Sequence, residues 1–148
     1  MEGHDHIKWI STILEELSIS EAEKGALMVE KCGRECLKYS GGYAQILELR
    51  KSIEEKNDED LLFQKYKSEI YENHPNLYKI GRDIYIEYNK CSCHMVIERG
   101  IKNPFLCNCT VGYTKQIFET LFGKKVKVKL QKSILNGDTI CKQKVSIV

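Results

Sequence analysis

Apolar residues in the first half of the chain recur every three or four positions, the spacing of one helix face. Over residues 4–17, Ile7, Ile10, Leu14 and Leu17 form such a stripe, widened by Trp9 and Ile13. Ser18 to Glu23 carries a capping-box pattern, Ser20 with Glu23 or Ser18 with Glu21, and predicts a second helix running to about Tyr39. Gly41-Gly42 stops it, and its expected inward positions are Ala22, Ala26, Val29, Cys32 or Gly33, Cys36 and Leu37. A third helix is expected from Tyr43 to about Lys56, with Ile46, Leu49 and Ile53 inward. Asp58 then caps a fourth, carrying Leu61, Leu62, Tyr66 and Ile70. His74-Pro75 ends the helical half, because the residue before proline avoids helical geometry.

From Leu77 the period shortens to two. Ile84, Ile86 and Tyr88 alternate with Tyr85 and Glu87 after a hairpin tip at Gly81-Arg82. Strands are also expected at Cys91 to Glu98 and around Cys107-Asn108-Cys109, so that each Cys-x-Cys pair projects from one face. Thr110 would cap a helix striped by Tyr113, Ile117 and Leu121, with Phe118 and Phe122 beside them, and Gly123 ends it. Val126, Val128 and Leu130 then alternate with lysines. Asn136-Gly137 signals a tight turn, and the return strand brings Cys141, Val145 and Ile147 to one face. The pattern predicts an α+β fold, with N-terminal helices packed on a mostly antiparallel sheet. It is expected as a single domain over 1–148, helical over 1–73 and sheet-rich with one helix over 77–148.

A chain of 148 residues can bury a core without disulfide staples. Its net charge of +2 gives no footprint for nucleic acid or a membrane surface, and neither is an expected partner. The lysine side of the last hairpin reads as a solvated face. No apolar run approaches the ~18 residues of a membrane span, and the acidic, histidine-bearing start is unlike a secretory signal. The expected location is the cytoplasm, where thiols stay reduced.

Seven cysteines change that picture. Cys91, Cys93, Cys107, Cys109 and Cys141 crowd into the C-terminal half. If their strands are neighbours, their thiolates suit a tetrahedral zinc ion, with an iron–sulfur cluster as the second choice. Cys32 and Cys36, one helical turn apart, can add ligands, form a second site or simply pack in the core. A catalytic or redox thiol is a further reading, with His94 next to Cys93, and merely buried cysteines are another. His4 and His6 read as solvated end residues. Tyr113, Ile117, Leu121, Val126 and Val128 can line a pocket for a small molecule between helices and sheet, or be plain core.

The order Gly112-Tyr113, Phe122-Gly123, Lys125 to Val128 and Gly137-Asp138-Thr139-Ile140-Cys141 resembles the 4-vinyl-reductase-type domain over about residues 105–147. That resemblance implies an antiparallel sheet against helices and a pocket for a small apolar ligand. In aromatic-sensing members zinc sits on a cysteine before the helix, a Glu-x-x-Cys and the cysteine after Gly-Asp. Here Cys107 and Cys141 match, whereas Leu130 and Ser133 stand at the other two positions. Cys109, Cys91 or Cys93 would have to substitute. Across the whole chain, Trp9, Cys32 to Cys36, the two Cys-x-Cys pairs and Gly137 to Cys141 resemble a family of bacterial cysteine-rich proteins of unknown function. The tail is also similar to the L-2-amino-thiazoline-4-carboxylic acid hydrolase family, which implies a small hydrolase. The expected role is binding of a metal or a small molecule. A structural or interaction module with buried cysteines, forming a homodimer through the sheet edge, is the remaining alternative.

Overall fold

A computed structural model describes residues 6–91 and 93–148, with the backbone alone at His94. Helices α1 (His6–Ser20), α2 (Ala22–Tyr39), α3 (Gly42–Lys51) and α4 (Glu59–Glu69) precede strands β1 (Leu77–Ile80) and β2 (Asp83–Tyr88). A single-turn helix α5 (His94–Ile97) and a 3-10 turn (Pro104–Leu106) lead into α6 (Cys107–Phe122). Strands β3 (Val126–Lys132) and β4 (Cys141–Ile147) complete the chain, joined through a 3-10 turn at Ile134–Asn136. The fold is α+β, and the sheet is antiparallel throughout in the order β1-β2-β4-β3.

The alternation in β4 puts Gln143, Val145 and Ile147 inward, and β2 contributes Ile84 and Ile86. They meet Ile117, Phe118, Leu121 and Phe122 of α6, with Leu37, Ile46, Leu49, Leu62, Phe63 and Tyr66 from the other helices. Each fully buried Leu, Ile or Phe contributes roughly 1.5–3 kcal/mol. A smaller core of Leu14, Val29, Ile101 and Leu106 joins α1 and α2 to the segment before α6. The outer side of α1 is uncovered, with Trp9 68% exposed and Ile7 and Ile13 also exposed. No described helix is long and apolar enough to cross a membrane.

Several local expectations are corrected. Ser18 and Ser20 donate to the carbonyls of Glu15 and Glu16 one turn back instead of capping α2, whose N-cap is Glu21 with no side-chain bond. Asp58 does cap α4, accepting the Leu61 amide at 3.0 Å. The helix expected to about Lys56 ends at Lys51. Among the described residues of the stretch Cys91 to Glu98 none is in a strand, because Cys93, Met95 and Val96 fold against the smaller core around α5. Cys107 and Cys109 are not on a strand either. Pro104, fixed near helical φ, starts a turn that runs straight into α6, so the helix begins at Cys107 and not after Thr110. His4 lies outside the described residues.

The inward positions of α2 are Gly25, Val29, Gly33 and Leu37, four apart each time, while Cys32 and Cys36 are exposed. Gly33 and Gly112 let α2 and α6 touch backbone to backbone. A methyl group on Gly33 would overlap the Cys109 carbonyl, and one on Gly112 would overlap the Glu30 carbonyl. Lys115 pairs with Glu30 across this crossing, and Arg34 reaches Glu119 at 2.9 Å and Gln116 at 3.1 Å.

Glu59 ties α4 to the sheet. Its carboxylate accepts from Arg82 at 3.0 and 2.8 Å and from Lys124 at 2.9 Å, with only 15% of the side chain exposed. The Arg82 hydrogen bond holds the Glu59 carboxyl down at about 2 against an ordinary 4.5, Lys124 adding to the effect and burial opposing it.

Two outcomes are expected. Gly33→Ala or Gly112→Ala should destabilise the protein by about 3 kcal/mol through overpacking against backbone that cannot yield, read from denaturant midpoints; wild-type midpoints would contradict the close crossing. Because Glu59 is more acidic when folded, its stabilisation is full above its unfolded pKa and lost as pH falls towards about 2. Glu59→Gln should therefore flatten the acid limb of a stability–pH curve, and an unchanged limb would deny the Glu59 cluster this role.

Candidate functional site

Residues two apart in a helix point about 200° apart. Starting α6 at Cys107 therefore sends Cys107 and Cys109 to opposite sides, where a strand would have paired them. Local chemistry fixes the start: Asn103 accepts the Phe105 amide at 3.0 Å, and Asn108 donates to the Phe105 carbonyl at 2.9 Å.

Cys107 faces the loop between β3 and β4. Its sulfur lies 3.3 Å from the hydroxyl of Ser133, which is 1% exposed. Asp138 closes that loop on itself, accepting the Ser133 amide at 2.8 Å while its own amide donates to the Ser133 carbonyl at 3.0 Å. Gly137 makes the turn with φ +98°, a backbone that side chains rarely adopt. The closed loop points the Ile134 amide at the Cys141 sulfur, 3.4 Å away. The Gly-Asp-x-x-Cys tail is thus a clamp that holds Cys141 and Ser133 against the start of α6.

Cys91, Cys93, Cys107 and Cys141 line one cavity of about 30 Å³, together with Leu130 and Gln143. That volume is the share of about one water molecule in the liquid. Gln143 is 1% exposed and accepts from the buried Thr114 hydroxyl at 2.5 Å, anchoring α6 to β4 beside the sulfurs.

Cys109 faces α2. It packs in the smaller core with Cys93, and its carbonyl lies under Gly33, between the exposed Cys32 and Cys36. Burial pushes the Cys109 thiol up from 9.0 to about 12, and the nearby sulfurs of Cys93, Cys36, Cys32 and Cys107 push the same way. Burial likewise raises Cys107, whose sulfur neighbours are Cys141, Cys91 and Cys93, although the Ser133 hydroxyl partly offsets it. Cys91 is raised by burial and by Cys93 and Cys141, against a hydrogen bond from the Cys93 backbone. Four sulfurs thus line the cavity, Cys109 lies in the smaller core, and Cys32 and Cys36 are exposed on α2.

All seven cysteines are free thiols. Among the described residues no three His, Cys, Asp or Glu side chains stand close enough to hold one metal ion as they are placed. The five residues expected to line a ligand pocket belong to the main core: Ile117, Leu121 and Val126 are buried, and Tyr113 and Val128 pack half-buried against it. Val126 and Val128 also line an open cleft of about 480 Å³ with Lys115 and Lys144, and a separate, smaller cavity lies at the sulfurs. The Cys93–His94 pair cannot be placed, because the histidine side chain lies outside the described residues. Gln143 escaped the sequence reading, and Ser133 entered it only as a non-matching position of the resemblance. Their signals were Asp138 five residues after Ser133 and the inward phase of β4 running through Gln143.

The gradient of exposure should appear in thiol chemistry. Alkylation of the reduced, metal-free protein followed by peptide mass spectrometry should label Cys32 and Cys36 at least ~10-fold faster than Cys107 and Cys109, since reactivity follows thiolate fraction and access. Equal rates would contradict the burial of the α6 pair.

No curated protein matches the chain. Residues 1–148 match the profile of a family of unknown function, DUF6144, and the chain belongs to that family.

Proposed function

We propose that the protein binds a single thiophilic metal ion, zinc, in the cavity of Cys91, Cys93, Cys107 and Cys141. The observation that carries this reading is that three separate segments bring four sulfurs to one cavity of about 30 Å³. Four thiolates in a tetrahedron are a closed zinc set. The space matches one ion, whereas organic ligands occupy pockets of ~300–1,000 Å³. The pKa values of Cys91 and Cys107, raised chiefly by burial, weigh against a hydrolase working through these thiols, because protonated thiols are poor nucleophiles. An iron–sulfur cluster needs more room than one ion.

The likeness to zinc-bearing 4-vinyl-reductase-type domains supports the same place. Cys107, Leu130, Ser133 and Cys141 occupy the four ligand positions of that pattern. Of these, Cys107, Leu130 and Cys141 line the cavity and Ser133 touches the Cys107 sulfur. Cys91 and Cys93 bring the two sulfurs that Leu130 and Ser133 lack. The Ile134 amide directed at Cys141 suits a metal-bound thiolate, and so does the positive end of α6 at Cys107. Binding draws the sulfurs together and releases their protons, so affinity rises with pH and the ion stabilises the fold. Free thiols of this kind fit a reducing compartment, the cytoplasm.

The test is metal analysis of protein purified without oxygen and reconstituted with zinc. The expected result is one equivalent, lost in Cys107→Ser and Cys141→Ser, with cobalt giving thiolate charge-transfer bands in the same site. No bound zinc, with all thiols freely titratable, would overturn the reading.

A further inference from the structure

We propose that the outer face of the sheet, turned away from the helices, binds single-stranded nucleic acid, its lysines holding phosphates and its tyrosines stacking a base. The inference is independent of the zinc reading and starts from strand register. Gln143, Val145 and Ile147 of β4 are buried, so the alternate residues Lys142, Lys144 and Ser146 point to the other side. Residues directly opposite on neighbouring strands share a face. Lys132, Lys129 and Lys127 of β3 stand opposite Lys142, Lys144 and Ser146, which puts them on that outer side. Tyr85 and Glu87 of β2 join it opposite Lys144 and Lys142, and Tyr78 of β1 joins it opposite Tyr85.

Five lysines thus crowd two adjacent strands, with an aromatic pair beside them. The Tyr78 and Tyr85 rings stack with centroids 5.2 Å apart, and the Lys142 ammonium lies 5.3 Å from the Tyr85 centroid. Both tyrosines are half-buried, so the stack keeps surface open to solvent. One row crosses the whole sheet as Tyr78, Tyr85, Lys144 and Lys129. The open cleft of about 480 Å³ lies at the lysine end of that row, where Lys115 of α6 is added. Of the carboxylates on this face, Asp83 is occupied, accepting from the Ser146 hydroxyl at 2.8 Å and lying 3.6 Å from Lys144. Lys127, Lys129 and Lys132 are exposed and have no carboxylate partner among the described residues.

Lysines on an edge strand guard against pairing between copies. That role suits β3, but it accounts neither for Lys142 and Lys144 on the inner strand β4 nor for tyrosines in the same row. A strand of nucleic acid offers both complements, phosphates for the ammonium groups and unpaired planar bases for the rings. An anionic lipid surface would use the lysines and leave the tyrosines with no ring to meet. The net charge of +2 conceals the patch, because acids elsewhere, such as Glu48, Glu69 and Glu72 beside α3 and α4, offset it.

The test is fluorescence anisotropy of the full-length protein with a fluorescein-labelled oligodeoxythymidylate about 12 nucleotides long, titrated over a range of salt concentrations. Wild-type affinity should fall as salt rises. Lys127→Ala with Lys129→Ala should weaken binding at least ~10-fold and reduce the salt slope by about 1.4, since each phosphate contact on a single strand carries ~0.7. Both lysines are exposed, so this variant keeps the fold and decides the phosphate contacts by itself. Tyr78→Leu should weaken binding about 10-fold with the slope unchanged, while Tyr78→Phe, which keeps the ring, should bind as wild type. Circular dichroism checks that both tyrosine variants are folded. No binding by the wild type would overturn the proposal, as would equal binding of a DNA duplex of the same length. Preference for anionic phospholipid vesicles would assign the face to a membrane instead and overturn it too. Wild-type affinity and slope in the lysine variant would do the same.

Discussion

The contact on which the structure depends is the meeting of two helix backbones at Gly33 and Gly112. Helices ordinarily pack 8–10 Å apart with side chains between them. Here neither helix has a side chain at the crossing, and any carbon added at either glycine would fall on a carbonyl of the partner. Dispersion over many close atom pairs holds such a contact, and Glu30–Lys115 and Arg34–Glu119 fix its rotation on either side. The consequence reaches the sheet. Phe118, Leu121 and Phe122 of the same α6 fill the inner face of the strands, so the position of α2 is transmitted through α6 to β4.

The same crossing sets the chemistry. A helix beginning at Cys107 cannot present Cys107 and Cys109 together, and the divergence divides the sulfurs between two environments. One is closed by the loop that Asp138 and Gly137 clamp. The other lies in the seam beneath α2. Both desolvate thiols, and a desolvated thiol holds its proton. A metal ion bound there, as we propose, would have to displace those protons, so pH and metal would compete for the same sulfurs.

Much of this was legible from periodicity. The inward phase of β2 and β4, the tip at Gly81-Arg82, the Asp58 cap and the end of α6 at Gly123 follow from alternation and from capping chemistry. The failures have specific causes. Cys-x-Cys fits a two-residue period, but cysteine is small and apolar and serves a helix as well, so the pattern could not separate strand from helix at Cys107 to Cys109. The arbiter was Pro104, which starts a helical turn when it follows a capping residue such as Asn103. Glycine is the other blind spot. Gly25, Gly33 and Gly112 carry no hydropathy, so the pattern left Cys32 and Gly33 as alternatives and admitted Cys36, whereas the inward phase of α2 runs through Gly25, Gly33 and Leu37. Ser133 is the third case: its weight comes from a loop closure that only tertiary structure reveals.

The displacement of Cys32 and Cys36 from the inward face of α2 separates them from cysteines that merely pack. Had Cys32 and Cys36 pointed inward, burial alone would account for them, as it accounts for small apolar residues generally. A thiol in water gains nothing from packing and is open to oxidation, so an exposed pair one turn apart must be explained by what it contacts outside the core. The cavity poses the converse problem. Four thiols around space for one ion forgo close packing, and that loss is made good only when something fills the space. The exposed pair flanks Gly33, where any added carbon would meet the Cys109 carbonyl, so the crossing itself leaves that stretch of α2 little freedom to move.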